Sequence, residues 1–460
     1  MTEEGDGVGR TEDGVTLFVR GAVPGDLAEA RVTKVKKRYA MAECLMLKER
    51  SPLRKEPCKW QFYCGGCAMG ELTYEAQCEI KQKQVRDKLI RLAGIQDPVV
   101  RDIISMPEDA RTGYRNKAVL AVGLDEDGRP LVGFRERGGR IIIDCDYCAL
   151  QAPPVMAAAE EMRRFLAGGA PPCMFKHLVV KTAFQTGEVM VILIAASDKL
   201  PLLEDLVYGM DDAIEKTGYS LESFYVNINP GKDGNIFGEK MIHIAGKKTI
   251  RDRLMGLDFE ISPFSFYQVN PLQAEKLYAK ALEYAGAGEG KRIMDLYCGV
   301  GTIGLIAASR GAHEILGIES VHQAVLDANR NAVINGIVNA RFLQGLAEEV
   351  LPQLAESASA ADGMAEFAAE SAPAPTVRYD SIILDPPRRG CHESLLDAVT
   401  KFMPERLVYI SCNPGTLARD IKILLEKGFE LVEVTPCDMF PETGSIESCA
   451  LLKRRPLAMV

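Results

Sequence analysis

The feature that most constrains this chain is a strand, a tight turn and a helix within residues 406–420. An apolar run rich in strand formers spans Leu407 to Ile410, and helical spacing begins after Pro414. This unit places Cys412, in the turn, at the carboxyl end of a sheet, where open α/β sheets carry their chemistry. A thiol near a helix N-terminus is predicted to have a lowered pKa and to act as a nucleophile. The alternative is a buried structural cysteine.

A second strand, glycine-rich turn and helix lies upstream of this unit. The strand ends at Asp295, and residues 299–304 then follow the pattern G-x-G-x-x-G. With Glu319 about twenty residues further on, this is formally a dinucleotide fingerprint, so an NAD-dependent oxidoreductase is one alternative. The acid before the first glycine, and Asp385-Pro-Pro after a further strand, favour S-adenosylmethionine instead. Glu319 would then accept hydrogen bonds from its ribose hydroxyls.

Cysteine usage indicates a metal. The acidic, glycine-rich N-terminus is unlike a signal peptide, so we expect a cytoplasmic protein, where thirteen cysteines favour metal binding or catalysis over disulfides. Cys58, Cys64 and Cys67 lie in one loop-like segment, and Cys145 and Cys148 are the candidates for a fourth ligand. Two glycines between Cys64 and Cys67 allow close backbone approach, which favours a [4Fe–4S] cluster over zinc. Free thiols are the remaining alternative.

Basic residues are concentrated in two segments, although the net charge of −9 argues weakly against whole-molecule attraction to nucleic acid. The first segment has short β runs and many cations around Tyr39, which predict a small RNA-binding barrel or, alternatively, a solvated charged face. The second segment predicts a strand that directs its cations to one face, where they would contact phosphates. The alternative is an exposed antiparallel sheet with ordinary polar positions. The cations of this segment are Arg111, Arg115 and Lys117, followed by Arg135, Arg137 and Arg140.

Together these motifs resemble the RNA 5-methyluridine methyltransferases over nearly the whole chain. The matching segments are Ser262–Asn270, Asp295–Gly301, Asp385–Arg388, Ser411–Pro414 and Glu447, and the first segment of the chain resembles a TRAM domain. The resemblance implies an α/β protein with a C-terminal Rossmann-like methyltransferase domain, a central α/β domain and an N-terminal OB-like TRAM barrel. The expected bounds are 1–57 for the barrel, 58–75 and 108–260 for the central domain, and 76–107 and 261–460 for the methyltransferase domain.

The same resemblance implies roles for individual residues. Cys412 would be the nucleophile that adds to carbon 6 of uracil, and Glu447 the base that removes the proton from carbon 5. Phe266 could stack on the flipped base, or else pack in the core. The S-adenosylmethionine site would be lined by Gln268, Tyr297, Thr302, Glu319 and Asp385.

The cysteine pattern resembles the 23S rRNA branch of that family, which carries a [4Fe–4S] cluster. The implied ligands are Cys58, Cys64, Cys67 and Cys148. We therefore expect a monomeric enzyme that methylates 23S rRNA and does not contact a membrane. The alternatives are a tRNA-directed relative with the same chemistry and an RNA-binding metalloprotein without activity. Residues 354–376 are low in complexity and predict an insertion without a catalytic role.

Overall fold

The computed structural model describes residues 1–11, 13–171, 174–200, 202–231, 234–354, 378–402 and 404–455. The predicted insertion therefore lies, apart from Leu354, outside the described residues. None of the helices within those ranges has the length and apolar character needed to cross a membrane. Within the described residues, three sheets and one two-stranded ribbon follow one another along the chain.

The first sheet has four strands in the order β1-β2-β4-β3. Its strands are β1 Gly7–Arg10, β2 Thr16–Arg20, β3 Leu27–Val35 and β4 Tyr39–Glu49. The core of this sheet is small because it consists of Val19, Ala22 and Ala42 with a few partly buried neighbours. The basic side chains at residues 34–38 are exposed beside Tyr39, so the cations predicted from the sequence do form a solvent-facing surface.

The central sheet has seven strands in the order β11-β10-β9-β8-β5-β6-β7. Its strands are β5 Lys117–Leu124, β6 Pro130–Arg135, β7 Ile142–Ile143, β8 Phe175–Thr182, β9 Glu188–Ala195, β10 Ser220–Ile228 and β11 Lys240–Gly246. Helices α1 Tyr74–Lys88, α2 Pro153–Ala167 and α3 Leu203–Glu215 precede or interrupt it. Of these, α2 and α3 pack on the sheet through an apolar core that includes Val155, Met162 and Leu206.

The predicted row of cations on one strand is wrong. Strand β5 begins only at Lys117, so Arg111 and Arg115 belong to the preceding loop. The Arg111 guanidinium stacks 3.8 Å above the ring of Tyr74. Lys117 lines a small internal cavity, and burial lowers the pKa of its ammonium group. These three cations therefore do not share one solvent-facing surface, because the chain is irregular until β5 pairs with β8.

The C-terminal sheet also has seven strands, in the order β16-β15-β14-β17-β18-β20-β19. Its strands are β14 Arg292–Leu296, β15 Glu314–Glu319, β16 Ala340–Gln344, β17 Ser381–Leu384, β18 Arg406–Ser411, β19 Phe429–Cys437 and β20 Glu447–Arg454. Pairing is parallel from β16 to β18, whereas β20 runs antiparallel to both of its neighbours. The predicted Rossmann-like domain is therefore confirmed.

Helices cover both faces of the C-terminal sheet. They are α4 Pro271–Ala285, α5 Thr302–Ser309, α6 His322–Ile334, α7 Glu393–Phe402 and α8 Pro414–Glu426. The ribbon of β12 Ile250–Leu254 and β13 Leu257–Ile261 precedes α4 and packs near α6. The apolar strands and helix faces form two large cores, one on each side of the sheet.

Helix α1 packs against α8 and β19 although it lies far away in the sequence. Val100 and Ile104, which follow it, form bridges to Val434 and Cys437 of β19. A fully buried ion pair joins Lys81 Nζ to Asp438 Oδ1 at 2.7 Å. These contacts attach the segment after residue 74 to the C-terminal sheet. The domain boundaries themselves stay a prediction.

Candidate active site

The carboxyl edge of the C-terminal sheet gathers most of the predicted site residues. Asp295 lies in β14, Glu319 ends β15, and Asp385 follows β17. Cys412 follows β18 and faces the start of β20, because Ser411 pairs with Ser448 in antiparallel register. Glu447, the first residue of β20, is thereby brought beside the thiol from a distant part of the sequence.

The turn after β14 has a tightly constrained backbone. Tyr297 adopts a left-handed φ of 66°, and its N–H donates to the carbonyl of Ile318 at 2.9 Å. Gly301 has a φ of 81°, and a Cβ placed there would lie 2.9 Å from the ring of Phe342. Helix α5 begins at the next residue, the buried Thr302. Glycine is needed here because the backbone must approach the sheet closely without a side chain.

Asp295 has an unused hydrogen-bond acceptor. Its Oδ2 accepts from the N–H of Gly304 at 2.8 Å, whereas its buried Oδ1 has no partner. Burial raises the pKa of Asp295 to about 7, with smaller contributions from the charges of Asp385 and Glu319. A buried oxygen without a donor favours a ligand that carries one. The amino group of S-adenosylmethionine would fit this chemistry.

Glu319 holds the turn and still has acceptor capacity. Its Oε2 accepts from the N–H of Gly299 at 3.0 Å, and its Oε1 accepts from the N–H of Val321 at 2.8 Å. Oε1 also accepts from the hydroxyl of Ser320 at 3.2 Å, so Oε2 is the oxygen that can accept a further bond, and a ribose hydroxyl fits it. The nearby Tyr297 hydroxyl donates to Glu348 Oε1 at 3.2 Å, while Glu348 Oε2 has no partner. These oxygens, too, fit a ligand with several donors.

Gln268 reaches the site from the loop before α4. Its carbonyl accepts from Asn116 Nδ2 at 2.8 Å, and its side chain lies near enough to the hydroxyl of Tyr278 to lower the pKa of that hydroxyl slightly. Tyr278 is buried on α4, which packs over β17, β18 and β20. Its pKa is raised by burial first and by the charges of Asp385, Asp295 and Glu447.

Sequence reasoning missed Tyr278. The apolar spacing of α4 places it on the buried face like any core aromatic, so the sequence carries no signal that distinguishes it. Only the packing of α4 on the strand ends reveals that its hydroxyl lies among the acidic groups of the site.

The surroundings of Cys412 differ from the prediction. Burial, followed by the charge of Glu447, raises the pKa of its half-buried thiol to about 11. The guanidinium of Arg388 opposes this effect. The predicted lowering of the pKa by a helix N-terminus is therefore wrong, because burial and the neighbouring carboxylate both disfavour the thiolate. A cavity of about 200 Å³ opens beside Cys412 and is lined in part by Arg388 and Asn413.

Glu447 is buried, and its pKa lies well above the ordinary value for a glutamate. Burial is the main cause, the charge of Asp385 adds to it, and Arg388 opposes it. Burial likewise raises the pKa of Asp385 to about 7. A carboxylate with a raised pKa is a stronger base, so Glu447 can take a proton from a neighbouring carbon acid.

The predicted cluster ligands are only partly gathered. The neighbouring thiol of Cys145 lowers the pKa of Cys64 to about 6, and the charges of Cys148 and Cys64 help burial to raise the pKa of Cys67 to about 12. Cys58 is exposed, and no described contact joins it to these thiols. Across the described ranges, no three or more His, Cys, Asp or Glu side chains are arranged so that they could hold a metal ion. The structure thus does not show the predicted [4Fe–4S] site.

A basic groove of about 670 Å³ lies on the central sheet. Arg135, Arg140, Lys176 and His177 line it together with apolar residues of β5. The ring nitrogen Nδ1 of His177 has no partner, and burial with two neighbouring cations lowers the pKa of this imidazole to about 4. The groove fits an extended anionic chain better than a small acid, because its cations are spread along it.

Two family models match the chain. One is described as tRNA (Uracil-5-)-methyltransferase and matches residues 232–455. The other is the TRAM domain and matches residues 2–45. The predicted N-terminal TRAM domain is confirmed by this match.

Similar proteins span nearly the whole chain. An uncharacterized RNA methyltransferase of Halalkalibacterium halodurans is 39% identical, over 98% of this chain and 95% of its own. One of Caldanaerobacter subterraneus subsp. tengcongensis is 37% identical over 99% and 96%. A crystal structure of the Pyrococcus abyssi tRNA (uracil-54, C5)-methyltransferase with S-adenosyl-L-homocysteine has a TM-score of 0.72 and 30% identity, over 98% of this chain and all of that one. These similarities favour a methyltransferase over the alternative oxidoreductase.

Proposed function

The chain belongs to the S-adenosylmethionine-dependent RNA uracil-5 methyltransferases, and from that premise we propose that it methylates carbon 5 of a uridine in 23S rRNA. The proposal assigns the nucleophile to Cys412 and the base to Glu447. The observation that carries it is the placement of this thiol, at the open end of β18, next to a buried carboxylate. Neither group alone would explain a reaction at a carbon atom.

The proposed reaction needs both groups in sequence. The Cys412 thiolate adds to carbon 6 of uracil, and the electron pair of the 5,6 double bond makes carbon 5 nucleophilic. S-adenosylmethionine supplies a methyl group activated by a sulfonium. Glu447 then takes the proton from carbon 5, the double bond forms again, and the thiolate leaves. The uracil is released with a methyl group in place of the hydrogen on carbon 5.

Five residues are proposed to hold S-adenosylmethionine: Gln268, Tyr297, Thr302, Glu319 and Asp385. Support comes from the unpartnered buried acceptors of two neighbouring residues, Asp295 Oδ1 and Glu348 Oε2, and from the close backbone at the glycine turn. We also propose that Phe266, which is 65% exposed and lies two residues before Gln268 in the chain, stacks on the flipped uracil. A ring this exposed does not pack in the core.

RNA is the proposed partner because two basic surfaces accompany the site. The TRAM sheet presents exposed cations beside Tyr39, and the groove of the central sheet presents Arg135 and Arg140. Phosphate contacts of this kind position a nucleic acid without reading its sequence. A cytoplasmic location and a monomeric state stay predictions.

The choice of RNA is tested by mapping 5-methyluridine in 23S rRNA and tRNA from a strain that lacks this protein. We expect the loss of methylation at a 23S rRNA uridine, with tRNA unchanged. A tRNA-directed enzyme is the second candidate, because the solved Pyrococcus abyssi relative is a tRNA methyltransferase. Loss at a tRNA position with intact rRNA would establish that candidate.

We further propose a [4Fe–4S] cluster held by Cys58, Cys64, Cys67 and Cys148. Support comes from the donor chemistry, since the last three of these thiols lie close enough to perturb one another beside Arg115. Protein purified without oxygen should be brown and absorb near ~400 nm. A colourless, zinc-loaded preparation would contradict the cluster and would favour the binding-protein alternative if methylation were also absent.

A further inference from the structure

Lys181 is a buried cation that the proposed mechanism does not use. It lies near the end of β8, and its side-chain ammonium donates to the carbonyls of Ser262 at 2.9 Å and Ser265 at 3.0 Å. Burial lowers the pKa of this group well below its ordinary value. An apolar side chain of similar length would fill the same space without removing a charge from water. What the lysine adds is a pair of hydrogen bonds to one loop.

That loop, residues 262–270, is called the serine loop here, and its first turn is closed on itself. The N–H of Ser262 donates to Ser265 Oγ at 2.7 Å, and the two hydroxyls lie 3.0 Å apart. The hydroxyl of Ser262 also donates to Asp327 Oδ2 on α6 at 2.8 Å. Lys181 therefore completes a buried polar network that joins the central sheet to the C-terminal domain.

The serine loop carries two residues for which roles in binding the substrates are proposed above, Phe266 and Gln268. Phe266 directly follows the Ser265 carbonyl that Lys181 binds, and Gln268 lies two residues further on. The far end of the loop is also held from the central sheet, because Asn116 donates through Nδ2 to the Gln268 carbonyl and through its N–H to the Val269 carbonyl. The exposed part of the loop therefore lies between two buried sets of hydrogen bonds, one from Lys181 and one from Asn116.

We propose that Lys181 is a positioning residue for methyl transfer, because it fixes the serine loop so that Phe266 and Gln268 meet the uracil and the cofactor in the reactive geometry. This inference rests on the proposed function. Small displacements of positioning groups away from the reacting atoms can cost about 100-fold in rate. The phosphate-binding surfaces lie elsewhere, so Lys181 should affect the reaction step more than RNA affinity.

Lys117 offers a matched control. It pairs with Lys181 across β5 and β8 and lines the same small cavity of about 10 Å³. No described hydrogen bond joins Lys117 to the serine loop. Replacing either lysine by methionine removes one amino group from the same neighbourhood, but only the replacement of Lys181 removes the two contacts to the loop.

The test measures adduct formation with RNA that contains 5-fluorouridine, together with RNA affinity and thermal stability. We expect Lys181→Met to slow adduct formation about 10- to 100-fold while RNA affinity changes less than about threefold. Lys117→Met should keep the wild-type rate within about twofold. Lys181→Gln, which retains an N–H donor one atom shorter, should recover part of the lost rate.

Equal rates for Lys181→Met and the wild type, or equal losses in both methionine variants, would overturn the inference. If Lys181→Met does not fold, the rate of adduct formation in Lys181→Gln becomes the test. A rate equal to that of the wild type would then overturn the positioning role of Lys181. If wild-type protein forms no adduct, the proposed function fails, and binding of S-adenosylhomocysteine becomes the separate readout. Lys181→Met should then still weaken that binding through Gln268, whereas unchanged binding would overturn the positioning role.

Discussion

Cys412 at the sheet edge and Cys64 in the cysteine-rich loop have opposite electrostatic surroundings. Burial and the charge of the neighbouring Glu447 raise the pKa of Cys412 to about 11. The thiol of Cys145, the N–H of Gly66 and the cation of Arg115 lower the pKa of Cys64 to about 6. Cys64 therefore favours the thiolate, whereas Cys412 is held as a thiol, as are Cys67 and Cys148, which lie near Cys64.

This difference indicates how each thiol would work. The Cys412 sulfur must leave carbon 6 of uracil again, so its adduct must not be too stable. Glu447 must act before that release, by taking the proton from carbon 5. A thiol that binds a metal must lose its proton, which neighbouring donors and cations favour. The contrast predicts that Cys412 needs its surroundings to change before it reacts, whereas Cys64 does not.

The largest effect is expected from Cys412→Ala. It should lower methyl transfer on the order of 10⁴-fold or more, because the nucleophile is lost. Binding of S-adenosylhomocysteine, measured by calorimetry, should remain within about threefold. The matched control is Cys44→Ala, which removes a partly buried thiol far from the site and should leave the rate unchanged. A variant that still methylates uridine would refute the mechanism.

Glu447→Gln should lower turnover about 10²- to 10⁴-fold, because the proton on carbon 5 has no acceptor. The covalent intermediate should then accumulate and be visible as a slowly migrating RNA–protein band. Removing this charge should also lower the pKa of Cys412, since Glu447 is one of the groups that raises it. Rapid turnover without any accumulated intermediate would exclude Glu447 as the base.

The pH dependence follows from the same two groups. Both act in the deprotonated form, and both pKa values are raised in the folded protein. The single-turnover rate should therefore rise steadily with pH from 6 to 9, approaching tenfold per pH unit where one group limits. In Glu447→Gln the rise for adduct formation should move to lower pH. A rate that falls as pH rises in this range would contradict the claim that both groups act in the deprotonated form.

A third variant set compares the loop cysteines. Cys148→Ala should remove most of the iron, measured by metal analysis and by absorbance near ~400 nm, because a cluster ligand is lost. Cys145→Ala should retain the iron, since Cys145 is outside the proposed ligand set. Iron that survives Cys148→Ala but not Cys145→Ala would instead identify Cys145 as the fourth ligand.

The smallest effect is expected for stability in Asp385→Asn. The folded pKa of Asp385 is raised to about 7, so its neutral form is favoured by folding and its charge destabilises the protein as pH rises through that value. Asp385→Asn should raise Tm at pH 8 by about 2–4 °C. At pH 4 the two proteins should melt together. A lower Tm at pH 8 would show that the charged form has a stabilising partner.

Contiguous motifs were predicted well from the sequence. The strand, turn and helix around Cys412, and the glycine turn after Asp295, form as expected because neighbouring residues determine them. The pKa of Cys412 could not be predicted, since it depends on the burial of the thiol and on Glu447, which reaches it only through the antiparallel register of β20. Tyr278 was missed for the same reason, because its position depends on how α4 packs on the sheet.

The most direct test of the account is the complex trapped between this protein and RNA that contains 5-fluorouridine, digested and analysed by mass spectrometry. The proposed covalent mechanism predicts one peptide with Cys412 joined to the modified nucleobase, and no such peptide from Cys412→Ala. An adduct on any other residue, or methylated product without an adduct at Cys412, would contradict it.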